Sequence, residues 1–263
     1  VVKKNSQTIS ADDDTNMHLF KYVLPYKNGC IGVATQKAVV YEYDYKMKQY
    51  KTSVLQNKVS LPDTILTGRF LQGKSNLLMV DMTAESVKFI LTDISENALA
   101  PFAEAILSLK GVQQVLPIDY DNDGLDEVLV LLRSGEYYMY QFENKTFVKK
   151  AEGKQNDWVN ANVQLCAGRF IAKNKMNLLT IHQNSSLSSV YEFNGASFNK
   201  VLQGPLFTGI YDTLHVVDSY WAVDVDHNGV DELICYKNGW RYNMKLLSIT
   251  KQDGAAIKWN IDF

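Results

Sequence analysis

Val115–Ala151 reads VLPIDYDNDGLDEVLVLLRSGEYYMYQFENKTFVKKA. It parses as a short apolar strand, an acidic loop, an apolar strand, a Ser-Gly turn, a long aromatic strand, a tight turn and a last strand. Ser219–Phe263 repeats the same order: SYWAVD, VDHNGVD, ELICY, KNG, WRYNMKLLSIT, KQDG, AAIKWNIDF. Gln164–Gln203 is a third version, with LCAGRF, NLLTIH, SVYEFN and SFNKVL as its strands. Asp63–Leu109 is a fourth, with ILTGRF, NLLMVD and SVKFILTD, and His18–Leu55 is the most divergent. The second strand of each unit begins near Cys30, Asn76, Glu127, Asn177 and Glu232, at separations of 46, 51, 50 and 55. Antiparallel four-stranded units at this period are the blades of a propeller, because a single blade cannot cover both of its faces. The expected fold is therefore all-β, a single β-propeller over 18–263 behind a polar tail at 1–17. Its five four-stranded blades would lie near 18–56, 63–110, 115–151, 164–203 and 219–263. A β-sandwich or two small β domains is the competing arrangement.

The composition agrees with a folded chain. Hydrophobic residues make up 46 % of 263, enough for a packed core. A formal net charge of −2 shows no basic excess, which excludes an ordinary nucleic-acid binder. No run approaches the ~18 apolar residues of a membrane-spanning helix. The N-terminus shows no apolar signal segment, and the chain reads there as a processed or trimmed product. Three Cys argue against a disulfide-built fold, and Cys30, Cys166 and Cys235 sit in strand runs as small apolar residues. The best helical periodicity lies at Glu96–Lys110, with Ala98, Phe102, Ile106 and Leu107 roughly on one face. The tyrosines gather in third strands (Tyr41, Tyr43, Tyr45, Tyr137, Tyr138, Tyr140, Tyr191), where packing between blades is their expected role.

Two loops carry the strongest chemical signal. Asp119–Glu127 (DYDNDGLDE) and Asp224–Glu232 (DVDHNGVDE) share the pattern D-x-D-x-[DN]-G-x-D-E. Carboxylates so crowded repel one another unless a cation intervenes. Oxygen donors at positions 1, 3 and 5, followed by Gly at 6, begin a calcium loop. An EF-hand would need Glu at position 12, where Val130 and Cys235 stand inside apolar strands. The expected ligands are instead Asp119, Asp121, Asp123, the Leu125 carbonyl and Glu127, and in the second loop Asp224, Asp226, Asn228, the Val230 carbonyl and Glu232. Hard oxygen donors of this kind suit Ca²⁺ over zinc or copper. Asp126 and Asp231 are left to fix the turn or to point outward. The bland alternative is an Asp-Gly turn with no metal.

These loops and the VLVLL and LICY runs after them resemble the FG-GAP/VCBS-type repeats of integrin-like β-propellers. Gly68-Arg69-Phe70 and Gly168-Arg169-Phe170 resemble the G-D-F that opens such repeats. The resemblance covers four of the five units. It implies structural calcium between the first and second strands of a blade, about two ions per chain. Arg69, Arg169 and Lys173 fall on acidic positions of the pattern and Asn177 on its last, so those two loops should bind none. In them a fixed cationic side chain is expected to organise the loop in place of the ion. Calcium dependence points to a secreted, periplasmic or cell-surface protein.

No catalytic motif stands out. There is no G-x-S-x-G, H-E-x-x-H, C-x-x-C or Gly-rich phosphate loop. His18, His182, His215 and His227 lack ligand spacing, and His227, at a non-ligand position of the second loop, should face solvent. The reading that follows is a non-catalytic adhesion module holding a glycan or protein partner. Trp158, Tyr211 and Trp221 are its candidate contacts, in or near the inter-blade segments Gln155–Asn162 and Gly204–Asp218. The alternatives are a carbohydrate-active enzyme, a glycosidase or lyase with Asp212 and Asp218 as available carboxylates, or scaffold within a larger surface or toxin protein.

Overall fold

The computed structural model describes residues 21–26, 29–94, 98–159, 163–182, 187–205, 219–236, 244–250 and 254–259. Over these the chain is all-β. The first four strands, β1 (Tyr22–Tyr26), β2 (Gly29–Val33), β3 (Lys37–Asp44) and β4 (Gln49–Asn57), form an antiparallel meander. A second meander runs through β5 (Thr64–Leu71), β6 (Lys74–Met82), β7 (Val87–Ile94) and β8 (Ala98–Leu107). A third comprises β9 (Val112–Ile118), β10 (Glu127–Leu132), β11 (Glu136–Glu143) and β12 (Thr146–Lys154). The fourth holds β13 (Val163–Ala172), β14 (Lys175–His182), β15 (Leu187–Phe193) and β16 (Phe198–Pro205). The fifth holds β17 (Ser219–Val223), β18 (Glu232–Tyr236), β19 (Met244–Thr250) and β20 (Gly254–Trp259). The first two meanders join into one eight-stranded sheet through a short parallel contact, Gln56 with Ala98 and Asn57 with Leu99. The other three are separate four-stranded sheets.

The second strands explain the packing. Glu127–Leu132 (EVLVLL) is buried at every position. A strand covered on both faces needs a continuous apolar run rather than alternation. Val128, Val130 and Leu132 meet Phe70, Leu78, Val80, Phe89 and Leu91 of the second meander. Leu129 and Leu131 turn the other way, onto Val163, Leu165, Leu178 and Tyr191 of the fourth. Ile31, Val40 and Leu55 pack on Ile65, Leu77 and Met79 in the same manner, and Phe170, Leu179 and Val190 on Leu233 and Cys235. Each meander thus shares its core with its neighbours in chain order.

Several expectations need correction. The described residues of Glu96–Lys110 hold strand β8, paired with β7 along its length, rather than the expected helix. Ala98, Phe102 and Ile106 recur every four residues, a spacing that also fits one face of a strand. Phe102 and Ile106 point to solvent, at 40 % and 69 % exposure, while Ala103, Ala105 and Leu107 pack inward. Tyr137, Tyr140 and Tyr191 are core residues, but Tyr45 is exposed beside Tyr43, whose ring also meets Tyr50, at the tip of the β3–β4 hairpin. Cys166 and Cys235 are buried and Cys30 is half-buried, all three as free thiols. Burial pushes the Cys166 thiol up to about 12, so it is inert. Among the described residues no helix is long and apolar enough to cross a membrane.

Candidate metal centres

The two acidic loops join β9 to β10 and β17 to β18, and the same hydrogen bonds build both. The Gly124 amide donates to Asp119 Oδ1 (3.4 Å), as Gly229 donates to Asp224 Oδ2 (2.8 Å). The Asp123 amide donates to Asp121 Oδ1 (3.1 Å), as Asn228 does to Asp226 Oδ1 (3.1 Å). The Leu125 amide donates to Asp123 Oδ1 and the Val230 amide to Asn228 Oδ1, both at 2.7 Å. The Tyr120 amide reaches Glu127 Oε2 (3.3 Å), and the Val225 amide reaches Glu232 Oε2 (3.0 Å). Asn122 and His227 take left-handed backbone at φ 59° and 56°, and Gly124 and Gly229 follow at 90° and 87°. His227 is exposed.

Carboxylate oxygens of Asp119, Asp121 and Asp123 lie within 4.8 Å of one another, and so do those of Asp224, Asp226 and Glu232. Glu127 is fully buried, and its Oε1 has no partner. Asp224 Oδ1 is buried without a partner too. Burial and the charges of Asp121 and Asp123 push the Glu127 carboxyl up to about 8. Burial is also the main cause that raises Asp119. A hard cation would reverse both effects, since it neutralises the cluster and occupies the orphaned oxygens. The residues therefore fit such an ion.

Asp126 and Asp231 do neither of the things expected of them. The Arg69 amide donates to Asp126 Oδ2 at 2.6 Å, and the Asp126 amide returns a bond to the Arg69 carbonyl at 3.0 Å. Arg169 and Asp231 repeat the exchange at 2.6 and 2.9 Å. Each acidic loop is thereby latched to the Gly-Arg-Phe segment of β5 or β13 in the meander before it. The guanidinium groups follow: Arg69 Nη2 lies 3.4 Å from Asp119 Oδ2, and Arg169 Nε lies 3.6 Å from Asp231 Oδ2. The arginines thus serve the next meander's loop, which corrects the expectation that they organise their own. The latch partners stand 57 and 62 residues apart. The signal that could have exposed them was the recurrence of G-R-F ahead of each acidic loop.

The candidate partner contacts fare differently. Trp158 is fully buried, its ring against Tyr137, Tyr191 and Phe198. It cannot stack on a glycan, because it plugs the joint between the third and fourth meanders. Trp221 is 44 % exposed on β17. Tyr211, Asp212, His215 and Asp218 lie outside the described residues, as does the tail at 1–17.

No protein-family model matches the chain, and no curated protein matches it. Solved structures do. One is a Bacteroides fragilis protein described as a candidate 6-phosphogluconolactonase, with a TM-score of 0.51 at 11 % identity. The match covers 92 % of this chain and 70 % of that one. At this identity the likeness is one of fold. It overturns the FG-GAP/VCBS assignment, which rested on two loops and two turns: the fold is shared with a lactonase-type protein. The adhesion-module reading falls with it, since it was drawn from that resemblance and from Trp158, Tyr211 and Trp221, of which Trp158 is buried.

Proposed function

We propose that the chain is a five-bladed β-propeller whose two acidic hairpin loops each hold one hard divalent cation as a structural clamp. Ca²⁺ is the best match to an all-oxygen donor set that includes a backbone carbonyl. Asp119, Asp121, Asp123, the Leu125 carbonyl and Glu127 would hold the first ion. Asp224, Asp226, Asn228, the Val230 carbonyl and Glu232 would hold the second. The observation that carries this reading is Glu127, a buried carboxylate with one oxygen unpaired and the charges of Asp121 and Asp123 nearby. The five consecutive meanders that share cores pairwise support the blade arrangement. Binding to the folded state alone stabilises it by about 2.7 kcal/mol at a hundredfold excess over Kd. Equilibrium dialysis with metal analysis should find about two Ca²⁺ per chain, and EGTA should lower the melting temperature by several degrees. Zero bound ions with an unchanged melt would refute the clamp.

A second reading is favoured by the fold likeness to the lactonase-named structure: hydrolysis of a small lactone on the propeller scaffold. A pH-stat assay over a lactone panel, 6-phosphogluconolactone included, tests it. Acid release at the buffer rate for every substrate would exclude it.

A further inference from the structure

A cleft of about 300 Å³ opens between the β5–β6 hairpin and the first acidic loop, lined by Arg69, Leu71, Gly73, Lys74 and Gly124. We propose that this cleft is an oxyanion subsite, for a phosphate monoester or carboxylate of a small molecule, which a cation in the neighbouring loop completes. The proposal rests on the cation reading above. One wall carries two cations from a single hairpin. Both are held only loosely: Arg69 faces Asp119 at 3.4 Å, and Lys74 faces Asp93 at 3.5 Å. Asp119 is also a ligand of the expected ion. A cation bound there takes over that carboxylate and leaves the Arg69 fork free to bind a second oxyanion in bidentate fashion.

The second acidic loop provides an internal comparison. Space beside Gly124 is empty, with nothing within 4 Å of where a Cβ would stand. At the matching Gly229, the stem of Lys173 fills that space, 2.9 Å from the same point. Gly73 likewise leaves its side of the first cleft open, at φ 70° with nothing nearby. One of two otherwise matched joints is therefore open, and it is the one with Arg69 and Lys74 on its rim. The volume is at the low end of ligand pockets, and Leu71 supplies an apolar wall for the carbon of a small acid.

The test is calorimetric titration of the full chain with phenyl phosphate and, separately, benzoate, in Ca²⁺ and in EGTA. Terbium luminescence on the same samples reports the cation. Binding of at least one anion is expected in Ca²⁺, weakened about tenfold or more in EGTA. Arg69→Gln and Lys74→Gln should each weaken it at least fivefold at saturating Ca²⁺. Arg69→Lys should recover only part of the loss, and Lys149→Gln, a lysine outside the cleft, should leave affinity unchanged. Circular dichroism confirms that each variant is folded. Should Arg69→Gln unfold, the exposed Lys74→Gln decides alone. Cation binding without anion binding, or anion binding indifferent to both substitutions or to EGTA, overturns the subsite and leaves the clamp standing. Absence of cation binding overturns both.

Discussion

Glu127 is the residue on which the metal reading turns. Its carboxyl stands well above the ordinary range because it is buried beside Asp121 and Asp123. A group whose folded pKa exceeds its unfolded value favours the fold fully below the unfolded value, near 4.5. That contribution is lost as pH rises through the folded value of about 8. In EGTA, the stability of the protein should therefore fall between roughly pH 4.5 and 8, and Ca²⁺ should remove this dependence. Glu127→Gln should flatten the metal-free profile and raise its melting temperature near pH 8 by a few degrees. The same change should weaken Ca²⁺ at the first loop tenfold or more. Thermal melts at several pH values, with and without Ca²⁺, give both signs. An unaltered pH profile in Glu127→Gln would exclude Glu127 as its source. The acids of these loops were legible from sequence because the carboxylates of one loop are neighbours in the chain. Trp158 was misread because composition places an aromatic near a loop without saying which way the ring points, and here it points into the core.

At the scale of elements, the strand order of every meander but the second could be read from apolar runs and turn residues. β8 could not, because a four-residue spacing is shared by a helix and one face of a strand, and only pairing with β7 decides between them. The latch between the Gly-Arg-Phe segment and the acidic loop was missed for a different reason: only the repeated G-R-F marks it, and its partners stand 57 and 62 residues apart. It depends on Gly68, where an added Cβ would meet the Phe70 ring at 2.7 Å and Asp126 Oδ2 at 3.1 Å. Gly68→Ala should push the hairpin off the loop and cost about 1–3 kcal/mol, the usual range for overpacking. Denaturant unfolding checks the size. A loss that the Asp126→Asn background shares in full, with no coupling between the two, would show that the latch is not what the glycine protects.

Over the described residues, neighbouring meanders share apolar cores and are further stitched by three different devices. The first and second share a sheet through Gln56 and Asn57. The third and fourth are tied by Gln114, whose side-chain amide exchanges two 2.8 Å bonds with the Leu165 backbone, and by Trp158. The second and third, and likewise the fourth and fifth, add the Arg–Asp latches and the acidic loops to their shared apolar cores. With cations in the acidic loops, as proposed, weakness under chelation should concentrate at these two joints. Limited proteolysis in EGTA should cut first near 108–111 and in the connection between β16 and β17. The products would be a pair from the N-terminal side, a central pair and a single C-terminal unit. In Ca²⁺ those cuts should be slow, so that ion supply would set how tightly two of the joints stay closed over their apolar cores.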